Sequence, residues 1–252
     1  MIKLRGGLRT SGDAFESSLL AAQVGPALFE ALWCESLKFS ESDWQNLASE
    51  HSDVEGCLRG TFMLCAARVP VYLCRLRAWK KGEIIDALNT YITMETICQD
   101  LATDIKSSVH AQDLRAASVS EFQFDLLRNF AFHLTLKMML GCILQAIKPD
   151  DEHLQEAMEA CAEEMVWFAR TFSVCKPLAA SILPMALSLA WSATTDTKTR
   201  VTVELTSKEL MRERLLLDGQ YSFAPDLQRF IRRCRILREC NGDEWYGKRF
   251  IA

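Results

Sequence analysis

Histidine is the side chain that most readily serves as an acid–base catalyst or metal ligand near neutral pH, and the chain has four. His153 stands among Asp150, Asp151, Glu152 and Glu156, a donor set that would suit a divalent metal if a second imidazole lay close by. None does in sequence, and carboxylates at a helix start complement the positive end of the helix dipole without any metal. The spacing therefore favours a helix cap. His133, inside Phe130-Ala131-Phe132-His133-Leu134, has no nucleophile beside it and is expected to be a hydrogen-bonded core or groove residue, not a general base.

The ten cysteines, at 34, 57, 65, 74, 98, 142, 161, 175, 234 and 240, include no C-x-x-C pair, whereas structural zinc takes its four ligands from closely spaced pairs. Cys234 and Cys240 are the nearest neighbours and would project from different sides of a helix. Most of the others sit in apolar runs such as Met63-Leu64-Cys65-Ala66 and Gly141-Cys142-Ile143-Leu144, the setting of buried thiols in a reducing compartment.

An all-α enzyme that ionises prenyl diphosphates would hold magnesium on an Asp-Asp-x-x-Asp/Glu pattern. Asp150-Asp151 fails because Leu154 takes the last place, and Asp100 with Asp104 does not complete it either. Arg5-Gly6-Gly7 lacks the later glycine and the Lys-Ser/Thr of a phosphate loop. No catalytic, cofactor-binding or metal-ligating residue is assigned, and the chain is expected not to be an enzyme.

Arg229, Arg232, Arg233, Arg235 and Arg238 could contact phosphates or act as a nuclear-import signal. They alternate, however, with Leu227, Phe230, Ile231, Cys234 and Leu237 at spacings of three and four, the pattern of a packed amphipathic helix with a solvated face. The whole chain carries a formal charge of −4, opposite in sign to what phosphate-backbone binding requires. Direct contact with nucleic acid is not expected of this segment.

The elements that must position these residues are helical almost throughout. Hydrophobic residues are 49% of the 252, and glycine (11) and proline (6) are scarce, which argues against a turn-rich β fold and against disorder. Apolar spacing predicts helices from Ala14 to Trp33 with an interruption at Pro26, from Ser40 through Trp44 and Leu47, and over 53–79 with a bend at Pro70 and a stop at Lys80-Lys81-Gly82. A helix over 83–108 presents Ile84, Leu88, Tyr91, Ile92, Ile97, Leu101 and Ile105, and a polar segment over 107–120 follows.

The most apolar helix runs from Phe122 to Ile147, carries the aromatic and methionine-rich group Phe122, Phe124, Phe130, Phe132, Met138 and Met139, and is ended by Lys148-Pro149. Asp150 or Asp151 caps the next, with Leu154, Met158, Cys161, Met165 and Phe168 on its buried face. Pro177–Thr195 is uncharged and long enough to span a bilayer. Pro184 and its serines and threonines make it a core helix, so no membrane partner is expected. Thr199–Leu205 alternates like a strand but has no second run to pair with, and is expected to start a helix. The N-terminal Met1-Ile2-Lys3-Leu4-Arg5 lacks the apolar stretch of a signal peptide. The expected fold is all-α, a single helical array of about eight to ten helices forming one domain over 1–252.

Several segments, in order, resemble the regulatory region of fungal zinc binuclear-cluster transcription factors. They are Phe15-Glu16-Ser17-Ser18-Leu19-Leu20 with Gly25-Pro26-Ala27-Leu28-Phe29-Glu30-Ala31-Leu32, then Phe39-Ser40 with Asp43-Trp44. The strongest is Cys175-Lys176-Pro177-Leu178 with Ile182-Leu183-Pro184-Met185-Ala186-Leu187-Ser188-Leu189-Ala190-Trp191 and Ala193, similar to the family's "pro-leu, met-pro-leu, ala-trp-ala" helix. The resemblance covers most of the chain, and its motifs are chiefly packing residues.

What the resemblance implies is a nuclear regulatory and interaction domain that controls RNA polymerase II transcription. It would act through proteins of the transcription machinery, a homologous factor or a small-molecule effector. The family's zinc belongs to an N-terminal six-cysteine cluster, which this sequence does not contain, so no cofactor is expected of these residues. The alternative from the residues alone is an all-α small-molecule binder or an enzyme without a recognisable motif, which would bring groups such as His133, Asp100 or Asp104 together in a deep pocket.

Overall fold

The computed structural model describes residues 68–69, 72, 80–108, 121–173, 183–214, 231–232 and 234. The chain divides into two compact units, Met1–Cys74 and Arg75–Ala252. In the first, Arg68, Val69 and Tyr72 are described, and all three are helical. In the second, the described residues form five bounded helices, in order α1 (Lys81–Ser108), α2 (Glu121–Ile147), α3 (Glu152–Phe172), α4 (Leu183–Ala193) and α5 (Thr197–Arg214). There is no strand among the described residues. Here the all-α expectation holds; the remaining predicted helices lie outside the described residues, apart from Ile231, Arg232 and Cys234, which are helical.

The Lys80-Lys81-Gly82 sequence opens α1; the helix over 53–79 that it is expected to close lies outside the described residues apart from Arg68, Val69 and Tyr72. The Lys80 carbonyl accepts from the N–H groups of Glu83 and Ile84, at 2.9 and 3.2 Å. The Glu83 carboxylate reaches back to the Lys80 N–H at 2.8 Å, which is the acidic half of a capping box. From there α1 buries Ile84, Ala87, Tyr91, Met94, Cys98, Leu101 and Ile105. The steps alternate three and four, a repeat of about 3.5 residues that keeps one seam against one neighbour. That neighbour is α2. The expected face differs in membership: Leu88 and Ile97 are half-buried and Ile92 is 56% exposed, because the seam selects the small Ala87 and Cys98 on its own register.

Helix α2 is the hub, packed against α1, α3 and α4. Leu126–Ile147 is long and apolar enough to cross a membrane by composition, yet 89% of its apolar window is buried inside the protein. Helices on several sides replace the lipid that such a stretch would otherwise need. The described part of the uncharged 177–195 stretch holds the 11-residue α4. Helix α2 ends where the Lys148 N–H makes its last bond, to the Leu144 carbonyl at 2.7 Å, and Pro149 can make none.

Asp151 caps α3, its carboxylate accepting the Leu154 N–H at 3.1 Å. Leu154, Met158, Cys161, Met165 and Phe168 are all buried, as their spacing predicts. Phe130 of α2 meets Phe168 at 5.0 Å between ring centroids, and Phe168 meets Phe172 at 4.9 Å. At Gly141 the two helices approach so closely that a Cβ would fall on the Met158 side chain. Pro184 sits in the first turn of α4, where its missing N–H removes no helical bond. The strand-like Thr199–Leu205 run is helical. Asp196 caps it, accepting from the Thr199 N–H at 2.7 Å and hydroxyl at 2.8 Å, and burial of Val203 and Thr206 overrides the β preference of its branched residues.

Candidate functional site

The densest group of ionisable side chains in the described core lies where α1, α2 and α3 meet. Lys137 is the single charged residue in α2 between Arg128 and Lys148, and its side chain is 6% exposed. Its ammonium donates to Glu95 Oε1 of α1 at 3.1 Å and lies 5.4 Å from the centre of the Tyr91 ring. The Tyr91 hydroxyl donates to Met158 Sδ of α3 at 3.9 Å. The Cys161 thiol is within hydrogen-bonding reach of both Lys137 and Tyr91. On the same helix Glu164 feels the charges of Lys137 and of Lys106 in α1, and Lys106 stacks over Trp167 at 5.3 Å.

The protonation states follow from burial against charge. Desolvation pulls the Lys137 ammonium down, but Cys161 and Glu95 outweigh it and leave its pKa above the usual lysine value. Burial pushes the Cys161 thiol up, with Lys137 only partly offsetting it, and burial raises Tyr91. Burial also raises Glu164, against the pull of Lys137 and Lys106. Near neutral pH the group therefore presents an ammonium, a protonated thiol and a protonated phenol. An ammonium has no lone pair for a carbonyl substrate, and a protonated buried thiol is a poor nucleophile. The Lys137–Glu95 pair ties α2 to α1.

A second polar group joins α3 to the corner between α4 and α5. The Glu159 carboxylate accepts the Thr194 hydroxyl, the Thr195 N–H at 2.6 Å and hydroxyl at 3.0 Å, the Asp196 N–H at 3.3 Å and Gln155 Nε2 at 3.0 Å. Partial burial would raise its pKa, but the hydrogen bonds from Thr194, Thr195 and Gln155 hold it below the usual carboxylate value. Arg200 donates to the Thr194 carbonyl at 2.9 Å and stacks on Trp191 at 4.9 Å. The Trp191 indole donates to Glu204 at 3.1 Å, and Arg170 Nε donates to the Thr206 hydroxyl at 3.2 Å. These contacts are those of a structural corner, with both Glu159 carboxylate oxygens occupied by neighbouring donors.

The residues singled out by sequence do not converge. His133 is fully buried in α2, its Nδ1 hydrogen donated to the Asn129 carbonyl at 2.8 Å, and burial pushes its pKa down to about 4. It stays neutral at physiological pH. Asp100 and Asp104 lie on the exposed side of α1, away from it. His153, Asp150, Glu152 and Glu156 are exposed around the start of α3, where Asp151 serves as the cap. Among the described residues, no three His, Cys, Asp or Glu side chains are placed to hold a metal ion. Cys98, Cys142 and Cys161 are buried thiols and Cys234 is half-buried, with burial again raising Cys142.

Phe130, Met138 and Met139 are core, whereas Phe124 and Phe132 are half-buried. Cys34, Cys57, Cys65, Cys74, Cys175 and Cys240 lie outside the described residues, as do Arg5-Gly6-Gly7, the segments from Phe15 to Trp44, and Arg229, Arg233, Arg235 and Arg238. Sequence reasoning passed over Lys137, whose signal was its isolation in an apolar helix. It also passed over Glu159, whose one local partner is Gln155 and whose other partners are 35 to 37 residues away.

No family model, no curated protein and no solved structure matches this chain.

Proposed function

We propose that the chain is a non-enzymatic regulatory and interaction domain of a fungal zinc binuclear-cluster transcription factor. It acts in the nucleus on RNA polymerase II transcription. It works through proteins of the transcription machinery, a homologous factor or a small-molecule effector, without touching nucleic acid itself. The observation that carries this reading is the resemblance of the segment from Cys175 to Trp191. Its described part, α4, is a packing element: Leu183, Pro184, Met185, Ala186, Leu187, Leu189 and Ala190 are buried against α2, α3 and α5, and Trp191 stands at the surface with Arg200 on its ring.

Two further observations among the described residues accord with this reading. The buried ionisable group around Lys137 holds its amine and thiol in their protonated, unreactive forms, and His133, Asp100 and Asp104 are apart. A regulatory helical domain works by shifting between states that mask or expose a surface, and needs no such convergence.

The test is a fusion of the full chain to an unrelated DNA-binding domain, expressed in a fungal host with a reporter gene bearing that domain's sites. The fusion is expected to change reporter transcription several-fold relative to the DNA-binding domain alone, and purification of the chain is expected to recover nuclear transcription proteins. An unchanged reporter in both activation and repression formats, with no transcription protein recovered, overturns the proposal.

A further inference from the structure

We draw no further inference here: the strongest candidate, the outward strip of α1 on which Ile85 and Ile92 are 49% and 56% exposed and Leu88 is half-buried, is a small apolar patch, and nothing in the structure shows what covers it.

Discussion

Replacing Glu95 by glutamine leaves the Lys137 ammonium in place but takes away the carboxylate 3.1 Å from it. The lysine side chain is 6% exposed and the glutamate 35%, so the two ends of the pair are not equivalent. The buried ammonium then keeps only the weaker pull of Glu164 and the Cys161 thiol; breaking a fully buried pair costs about 3 to 5 kcal/mol, and this half-buried one belongs at the lower end. The Tyr91 face, 5.4 Å away, retains about 0.5 to 1 kcal/mol of that, so E95Q is expected to destabilise by about 3 kcal/mol.

The reverse change, Lys137→Met, keeps the aliphatic stem and leaves a carboxylate that water can reach, for a loss of about 1 kcal/mol. The double variant removes the stranded charge as well as its partner and should be more stable than E95Q alone by about 1 to 2 kcal/mol. Urea unfolding followed by far-UV circular dichroism measures all four proteins, with the slope constant across the set. Equal losses in the two single variants, or strictly additive losses in the double, would refute the argument that an asymmetric, half-buried pair sets α1 on α2.

Other consequences are open to the same kind of measurement. Gly141→Ala places a Cβ on the thioether end of the buried Met158 side chain; the overpacking cost of about 1 to 3 kcal/mol is offset by the roughly 1 kcal/mol that alanine gains over glycine inside a helix, for a net loss of up to about 2 kcal/mol in the same urea assay. For His133, the folded pKa near 4 lies below the unfolded value of about 6.5. Its contribution is therefore present above pH 6.5 and is lost as pH falls toward 4, by up to about 3 kcal/mol. His133→Gln should flatten the unfolding midpoint over that window; an unchanged slope would contradict a neutral buried imidazole. Glu159→Gln weakens the acceptor for Thr195 and Asp196 and should cost about 1 kcal/mol at pH 7. Because the folded Glu159 carboxyl is lowered, the difference from wild type is full above its unfolded pKa of about 4.3 and disappears as pH falls below it. A difference that persists at pH 2 would reject this.

The helical class, the α3 stripe and the Asp151 cap were legible because each depends on residues three or four apart. The α1 seam was only half legible. Large apolar side chains mark Ile84, Tyr91, Leu101 and Ile105 correctly, but the facing helix, not side-chain size, decides that Ala87 and Cys98 are in and Ile92 is out. The start of α1 at Lys80-Lys81-Gly82 was legible only in part: Glu83, bonding back to the Lys80 N–H, sets it. The polar groups around Lys137 and Glu159 were illegible for a different reason. Their members are brought together from 42 and 35 residues apart by helix packing, a distance over which spacing in sequence carries no information.

The central position of α2 has a consequence for how the chain is made. Helix α1 precedes it, α3 begins five residues after it (152 − 147), but α4, which closes another of its sides, ends 46 residues later (193 − 147). At ribosomal speeds of about 5–20 residues per second, Leu126–Ile147 waits for roughly 2 to 9 s with part of its apolar surface uncovered. During that interval the nascent chain displays a stretch that insertion machinery and holding chaperones both recognise by hydrophobicity. Yield in a heterologous host should then depend on translation rate between codons 148 and 193, independently of the stability of the finished fold.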